Sequence, residues 1–185
     1  MSTLYAPWAI ETDIQGDLDF FMPYIEKLEW VDTNVLYGKY DEYEDAMQGG
    51  QMVDHYIKHL DPEIYDRPLK KFVVKLFKEL GVKSQDWRGD FFLTKAGGHM
   101  PMHIDKVSHV ALLLPLTENT GPLVCEQDNA RLELTYQNLA ILNTRCLHGV
   151  SAPTSDRLLF RLALHDVKFE ELGIYKELVK EMAQN

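Results

Sequence analysis

The sequence predicts an α+β fold with a mainly β core: a double-sheet jelly roll or antiparallel barrel, braced by N-terminal helices and a C-terminal helix. Two patterns predict it. Apolar residues recur at helical spacing through the first 88 residues and again after residue 166, the mark of amphipathic helices. Between residues 89 and 166 they give way to seven or eight short runs rich in Val, Leu, Phe and Thr. Turn residues separate these runs at near-regular intervals, as in closed or double-layered antiparallel sheets. A chain of 185 residues, 45% hydrophobic and 26% charged, suits one domain with one core. Residues 1–88 read as mostly helical, 89–166 as the β core and 167–185 as the C-terminal helix.

The elements follow in order. Leu18, Phe21, Tyr24, Ile25 and Leu28 form one helical stripe, and Met52, Val53, Tyr56, Ile57 and Leu60 a second, after the Gly49-Gly50 break. The strongest stripe is Leu69, Phe72, Val73, Leu76, Phe77 and Leu80. Asp66 or Asp61 caps its start and Gly81 its end. Strands are predicted over Phe91–Lys95, Met102–Ile104, His109–Leu114, Leu123–Cys125, Arg131–Thr135, Leu139–Leu142, Gly149–Ser151 and Leu158–Leu164. Gly97-Gly98, Asn119–Pro122 and Gln127–Asn129 read as turns. The tail returns to a helix carrying Phe169, Leu172, Tyr175, Leu178, Val179 and Met182, which Gly173 weakens at its start.

Charge and composition remove several function classes. A formal net charge of −10 repels a phosphate backbone, so no nucleic-acid partner is expected. The basic run Arg67, Lys70, Lys71, Lys75, Lys78 sits beside an apolar stripe and reads as a solvated helix face. No stretch approaches the ~20 apolar residues that span a membrane, and the first residues carry no signal-peptide pattern. Two cysteines, Cys125 and Cys146, make no disulfide framework, so a reduced, cytoplasmic setting is expected. No nucleophile elbow, phosphate loop or dinucleotide glycine fingerprint is present.

The chemistry concentrates in "GGHMPMHIDKVSHV", residues 97–110. His103 and Asp105 are two apart, so on an extended strand they share a face. His148, in "LNTRCLHGV", is the best third ligand. Two neutral imidazoles and one carboxylate cover one face of an octahedron and leave the other open, the pattern of non-haem Fe(II) oxygenases. Arg157 lies nine positions beyond His148, where the last strand begins. Alternation puts Arg157, Leu159 and Arg161 on one face. A cation aimed into an apolar barrel needs an anion. A small dicarboxylate spanning metal and Arg157 would serve, and so would an internal salt bridge to Glu126 or Glu133.

Taken in order, "HMPMHID", "LPLTENTGPL", "LNTRCLHGV" and "SDRLLFRLAL" resemble the double-stranded β-helix core of 2-oxoglutarate/Fe(II)-dependent oxygenases. The aspartyl/asparaginyl β-hydroxylase-like and prolyl hydroxylase-like members are nearest in flavour. The resemblance covers roughly residues 91–166. It implies a cupin-like jelly roll in which His103, Asp105 and His148 bind Fe(II) and Arg157 pairs with the distal carboxylate of 2-oxoglutarate. It implies O2 as co-reactant, succinate and CO2 as products, and hydroxylation of a small-molecule or peptide substrate. The chain departs from the pattern at Leu159, where many such oxygenases carry Ser or Thr. For a second cosubstrate contact Thr94, Ser108 and His109 all remain open.

The other polar residues keep two readings each. His99 is a residue at the barrel mouth touching substrate, or an exposed turn residue. His109 is a cosubstrate neighbour or a core histidine. Arg145 binds an acidic substrate group or sits on the surface. Arg161 contacts substrate or forms a salt bridge near the barrel's end. Loops at the barrel mouth, including Asp32–Gly50, would set the substrate, and the acidic, Gly-rich segment "YGKYDEYEDAMQGGQM", residues 37–52, is a lid or a solvated loop. Two non-enzymatic readings stand beside the oxygenase: a cupin-like metal- or ligand-binding module, and an interaction protein with a vacant site.

Overall fold

The computed structural model describes residues 2–37, 51–60 and 65–184. The Gly49-Gly50 break, the Asp61 cap and residues 38–50 of the acidic segment lie outside the described residues. The elements are β1 (Thr3–Tyr5), β2 (Ala9–Glu11), α1 (Leu18–Ile25), β3 (Val31–Asp32), α2 (Thr33–Tyr37), β4 (Val53–Leu60) and α3 (Arg67–Leu80). They continue with β5 (Trp87–His103), β6 (Val110–Pro115), β7 (Leu123–Gln127), β8 (Ala130–Leu134), β9 (Ala140–Asn143), β10 (Leu147–Val150), β11 (Arg157–Leu164) and α4 (Gly173–Gln184).

The strands build a jelly roll of two antiparallel sheets. The major sheet runs β1-β2-β9-β6-β11-β5, with β4 on the far side of β5 and β3 beyond it. The minor sheet runs β5-β10-β7-β8. Strand β5 belongs to both. Its first half pairs with β4 and β11, and its last residues pair with β10. The predicted strands over 91–95 and 102–104 are therefore one strand, and the predicted turn at Gly97-Gly98 is a corner within it. Gly97 has φ +81°, which favours glycine. A Cβ on Gly98 would lie 2.7 Å from the Val53 carbonyl oxygen.

Two apolar layers follow from the alternation of the major sheet. On its outer face Phe91, Leu112, Leu114, Phe160 and Leu162 meet Phe21 of α1 and Leu69, Val73, Leu76 and Leu80 of α3. Phe21 stacks at 4.7 Å on Phe160. The inner face and the minor sheet enclose Ile57, Phe92, Leu113, Leu123, Cys125, Leu142 and Leu159. Helix α3 forms as its sequence predicts. The Asp66 side chain accepts from Leu69 N–H at 3.0 Å, and Gly81 ends the helix with φ +62°. Gly173 sits directly against Gly81, where a Cβ would come within 2.9 Å of the Gly81 Cα. The tail is a short 3₁₀ turn, Phe169–Glu171, followed by α4. The β7–β8 hairpin turns on Asp128 and Asn129, both with positive φ, as a two-residue type I′ loop requires.

The first 88 residues are less helical than their periodicity predicts. Besides α1–α3 they supply β1–β4, and the stripe Met52–Leu60 is strand β4. The reason is two-sided burial. His55 and Ile57 face the barrel interior while Lys58 and Leu60 are buried on the other face. Lys58 reaches the Ile25 carbonyl at 2.6 Å and lies over the Trp30 ring. A strand buried on both faces loses the clean alternation that marks it. No helix among the described residues is long and apolar enough to cross a membrane.

Candidate active site

His103, the last residue of β5, is the direct cross-strand partner of His148 in β10, and their ring centroids are 4.3 Å apart. Gly149 allows this approach: a Cβ there would lie 2.8 Å from the Met100 carbonyl oxygen. One ligand atom each from His103, Asp105 and His148 lie within 4.8 Å of one another. His103 Nδ1 is 2.9 Å from the Pro101 carbonyl oxygen, and His148 Nδ1 is 2.9 Å from that of Cys146. A carbonyl only accepts, so both Nδ1 atoms carry a proton, and Nε2 is the nitrogen of each ring that a metal would take. Ser108 donates to Asp105 Oδ2 at 2.5 Å, and Asp105 Oδ1 lies 3.4 Å from His103 Nε2.

The protonation states suit a cation. Burial, then the neighbouring His103, pushes His148 down to about 4, so its imidazole is neutral at pH 7. Burial alone would raise the Asp105 carboxyl. The His103 hydrogen bond and the charges of His148 and His103 outweigh it and hold Asp105 below the usual carboxylate range. Two imidazole nitrogens and a carboxylate oxygen on converging side chains fit a borderline divalent metal.

Arg157 opens β11 and is 2% exposed. Its Nη2 donates to Tyr136 Oη at 2.5 Å, and its Nε has no partner. The expected salt-bridge alternative fails, because Glu126 and Glu133 both pair with Arg131 at 2.7 and 2.6 Å. Directly opposite Arg157, across β5, stands Thr94, whose buried hydroxyl also lacks a partner. Burial, against the Arg157 charge, raises the Tyr136 phenol, so it stays protonated. With its oxygen accepting from Arg157, its own O–H is left to donate. One more rung along, His55 of β4 pairs with Thr94. Its Nδ1 is 2.8 Å from the Thr33 hydroxyl. Burial, then the charges of Arg157, Arg161 and His103, pushes it down to about 3.

The remaining predicted residues fall elsewhere. Arg161 is paired with Asp90, Nη2 to Oδ2 at 2.6 Å, and lies 4.5 Å over the Phe92 ring. Arg145 is exposed and donates to the carbonyls of Asp105 and Lys106 at 2.9 and 3.0 Å, tying down the loop that carries Asp105. His109 precedes β6 and bonds through its backbone to Leu164, at the opposite end of β11 from Arg157. His99 lies within β5 opposite Val53, not on a turn. Sequence reading missed Tyr136, which follows the end of β8, and His55, hidden in a stripe of helical spacing.

The fold, as distinct from the site, has counterparts among solved structures. No protein-family model and no curated protein matches the sequence. Solved structures do match. A prolyl hydroxylase from Trichoplax adhaerens, in complex with a hypoxia inducible factor peptide fragment, is 13% identical with a TM-score of 0.51 over 80% of this chain and 89% of that one. HygX from Streptomyces hygroscopicus, with nickel, 2-oxoglutarate and hygromycin B bound, is 11% identical with a TM-score of 0.51 over 86% and 83%. At such identities the likeness is one of fold. The chain has the double-stranded β-helix seen in prolyl hydroxylases and 2-oxoglutarate/Fe(II) oxygenases.

Proposed function

We propose that the chain is an Fe(II)- and 2-oxoglutarate-dependent oxygenase that hydroxylates a peptidyl residue, an amino acid or another small polar substrate. The observation that carries this is Arg157. A buried donor without an acceptor costs about 1–3 kcal/mol, and here the guanidinium Nε and the opposing Thr94 hydroxyl are both unpartnered. A carboxylate would satisfy both, with the Tyr136 O–H as a third donor. His103, Asp105 and His148 would hold Fe(II). Bound together, Fe(II) and 2-oxoglutarate supply dioxygen activation, with succinate and CO2 as products.

The chain's own residues do the rest. The Pro101 and Cys146 carbonyls fix the imidazole tautomers, and Ser108 fixes the Asp105 carboxylate. Arg145 anchors the loop behind it. The inner wall of Ile57, Phe92, Leu113 and Leu159 keeps water from the reacting centre. A peptide fragment bound to one structural neighbour and hygromycin B to another support a peptide or small-molecule substrate.

The test is spectroscopic. Anaerobic protein loaded with Fe(II) should develop a visible charge-transfer band on adding 2-oxoglutarate. Asp105→Ala should abolish the band, and Arg157→Ala should require at least ~10-fold more cosubstrate to reach it. Fe(II) binding with no response to 2-oxoglutarate in the wild type would favour the cupin-like, non-catalytic module instead.

A further inference from the structure

Helix α3 turns one side to the major sheet and leaves the opposite side uncovered. Leu69, Val73, Leu76 and Leu80 are buried. Arg67, Lys70, Lys71, Val74, Lys75 and Lys78 are all exposed and line one shallow groove. Their spacing, i, i+3, i+4, i+7, i+8 and i+11, draws a single stripe along the helix, directly opposite the buried one. At about 1.5 Å of rise per residue the stripe is ~16 Å long. Val74, 67% exposed, is its one uncharged member.

No internal contact neutralises the stripe. Among the described residues no carboxylate forms an ion pair with Arg67, Lys70, Lys71, Lys75 or Lys78. Asp66, at the head of the helix, feels the Lys70 charge, but its Oδ1 accepts from Leu69 N–H and the Tyr24 hydroxyl. Glu79 is exposed on the flank of the helix, about a third of a turn from the stripe's midline. Like charges four residues apart, Arg67 with Lys71 and Lys71 with Lys75, destabilise a helix. Arg67 and Lys70 also lie in the first turn, where the helix dipole disfavours cations. One face thus breaks two local rules with no gain inside the molecule, as surfaces that serve a partner do. In a chain of net charge −10 it is a local reversal of sign.

We infer that this stripe docks a short acidic segment of a partner polypeptide. Carboxylates spaced along the segment meet the cations, and an apolar side chain between them covers Val74. Width decides against broader anions. A lipid surface or a nucleic-acid duplex extends past the helix on both sides. It brings its negative charge within the ~8 Å screening length of Asp66, Glu79 and the acidic molecule behind them. A single polypeptide segment touches the stripe alone. The stripe belongs to the outer layer and the candidate site to the inner one, so docking leaves the site clear. The inference uses no residue of that site and stands or falls independently of the oxygenase reading.

The experiment uses the whole chain and two dye-labelled peptides of about three helical turns, long enough to run the stripe. One carries glutamates at every third or fourth position around a central leucine. In the other each glutamate is glutamine. Fluorescence anisotropy should show the glutamate peptide binding at least ~10-fold tighter at low salt, with the advantage shrinking as salt rises. Backbone amide NMR shifts on binding should centre on α3. In Lys70→Gln/Lys71→Gln/Lys75→Gln the preference should vanish. Thermal stability should hold or rise, because only exposed like charges are removed. Equal binding of the two peptides, shifts centred elsewhere, or a preference that survives the triple variant would overturn the inference. So would tighter binding to phosphatidylserine vesicles or to duplex DNA than to the glutamate peptide.

Discussion

Inside the barrel His55 is a neutral base held among cations, and this ties stability to pH. Burial, with Arg157, Arg161 and His103 nearby, pushes its imidazole down to about 3. In the unfolded chain it titrates near its ordinary value of about 6.5. Above that pH both states are neutral and His55 contributes no slope. Below it the unfolded chain takes up a proton that the fold refuses, so stability is lost as pH falls from about 6.5 toward 3, by about 1.4 kcal/mol per unit. His148, pushed down to about 4, adds a second proton over the upper part of that window in metal-free protein. Urea unfolding between pH 7 and 5 should therefore show a two-proton slope, and His55→Gln should remove about one of the two. A slope unchanged by the substitution would mean that His55 is already charged in the fold. That His103 and Asp105 come together was legible from their spacing of two, and the place of Arg157 from its position at the start of the last strand; His148 rests on no local spacing and was singled out by its place before that strand and by the family resemblance. Tyr136 was not, because it reaches Arg157 from beyond the end of β8, and only the closed fold sets that approach.

At the scale of elements, the β5–β10 pairing decides whether the metal ligands meet. Gly149 lies beside His148, and its missing Cβ is what lets β10 close on the Met100 carbonyl. Gly149→Ala should push the strands apart and weaken metal binding by ~10-fold or more, while unfolding stability drops by only ~1–3 kcal/mol. Competition with a chromophoric chelator measures the first, and urea unfolding the second. A variant that binds metal as the wild type does would show that the pairing has slack. Helix α3 was readable to its ends, because Gly81 and the aspartates before it, of which Asp66 is the cap, are local signals. Strand β4 was not. Its inner residues serve the barrel and its outer ones the helical layer, so its pattern of burial came from both neighbours at once.

For the molecule as a whole, the two apolar layers divide the work. The outer layer joins α1 and α3 to the major sheet, and the inner layer surrounds the site. Phe21 belongs to the outer layer alone and touches Phe72, Phe91 and Phe160. Phe21→Ala should cost about 3–5 kcal/mol of stability. Read by thermal unfolding and by the visible band together, the variant should melt earlier yet give the wild-type band per folded molecule. A band lost in proportion to stability would instead couple the two layers. The jelly roll itself was legible from the run of short strands. The four N-terminal strands were not, because three of them have only two or three residues and carry no period of their own.

Strand β5 also acts as a gauge. Thr94 and His103 stand on one unbroken run of backbone that passes through both sheets, so the spacing between the anchoring rung and the metal ligands is set by covalent connectivity. Side chains alternate along a strand, so one residue inserted after the corner would turn His103 to the outer face and leave Thr94 where it is. The corner glycines therefore do more than bend the strand: they keep its two halves in phase, and tolerance to insertion should come in steps of two.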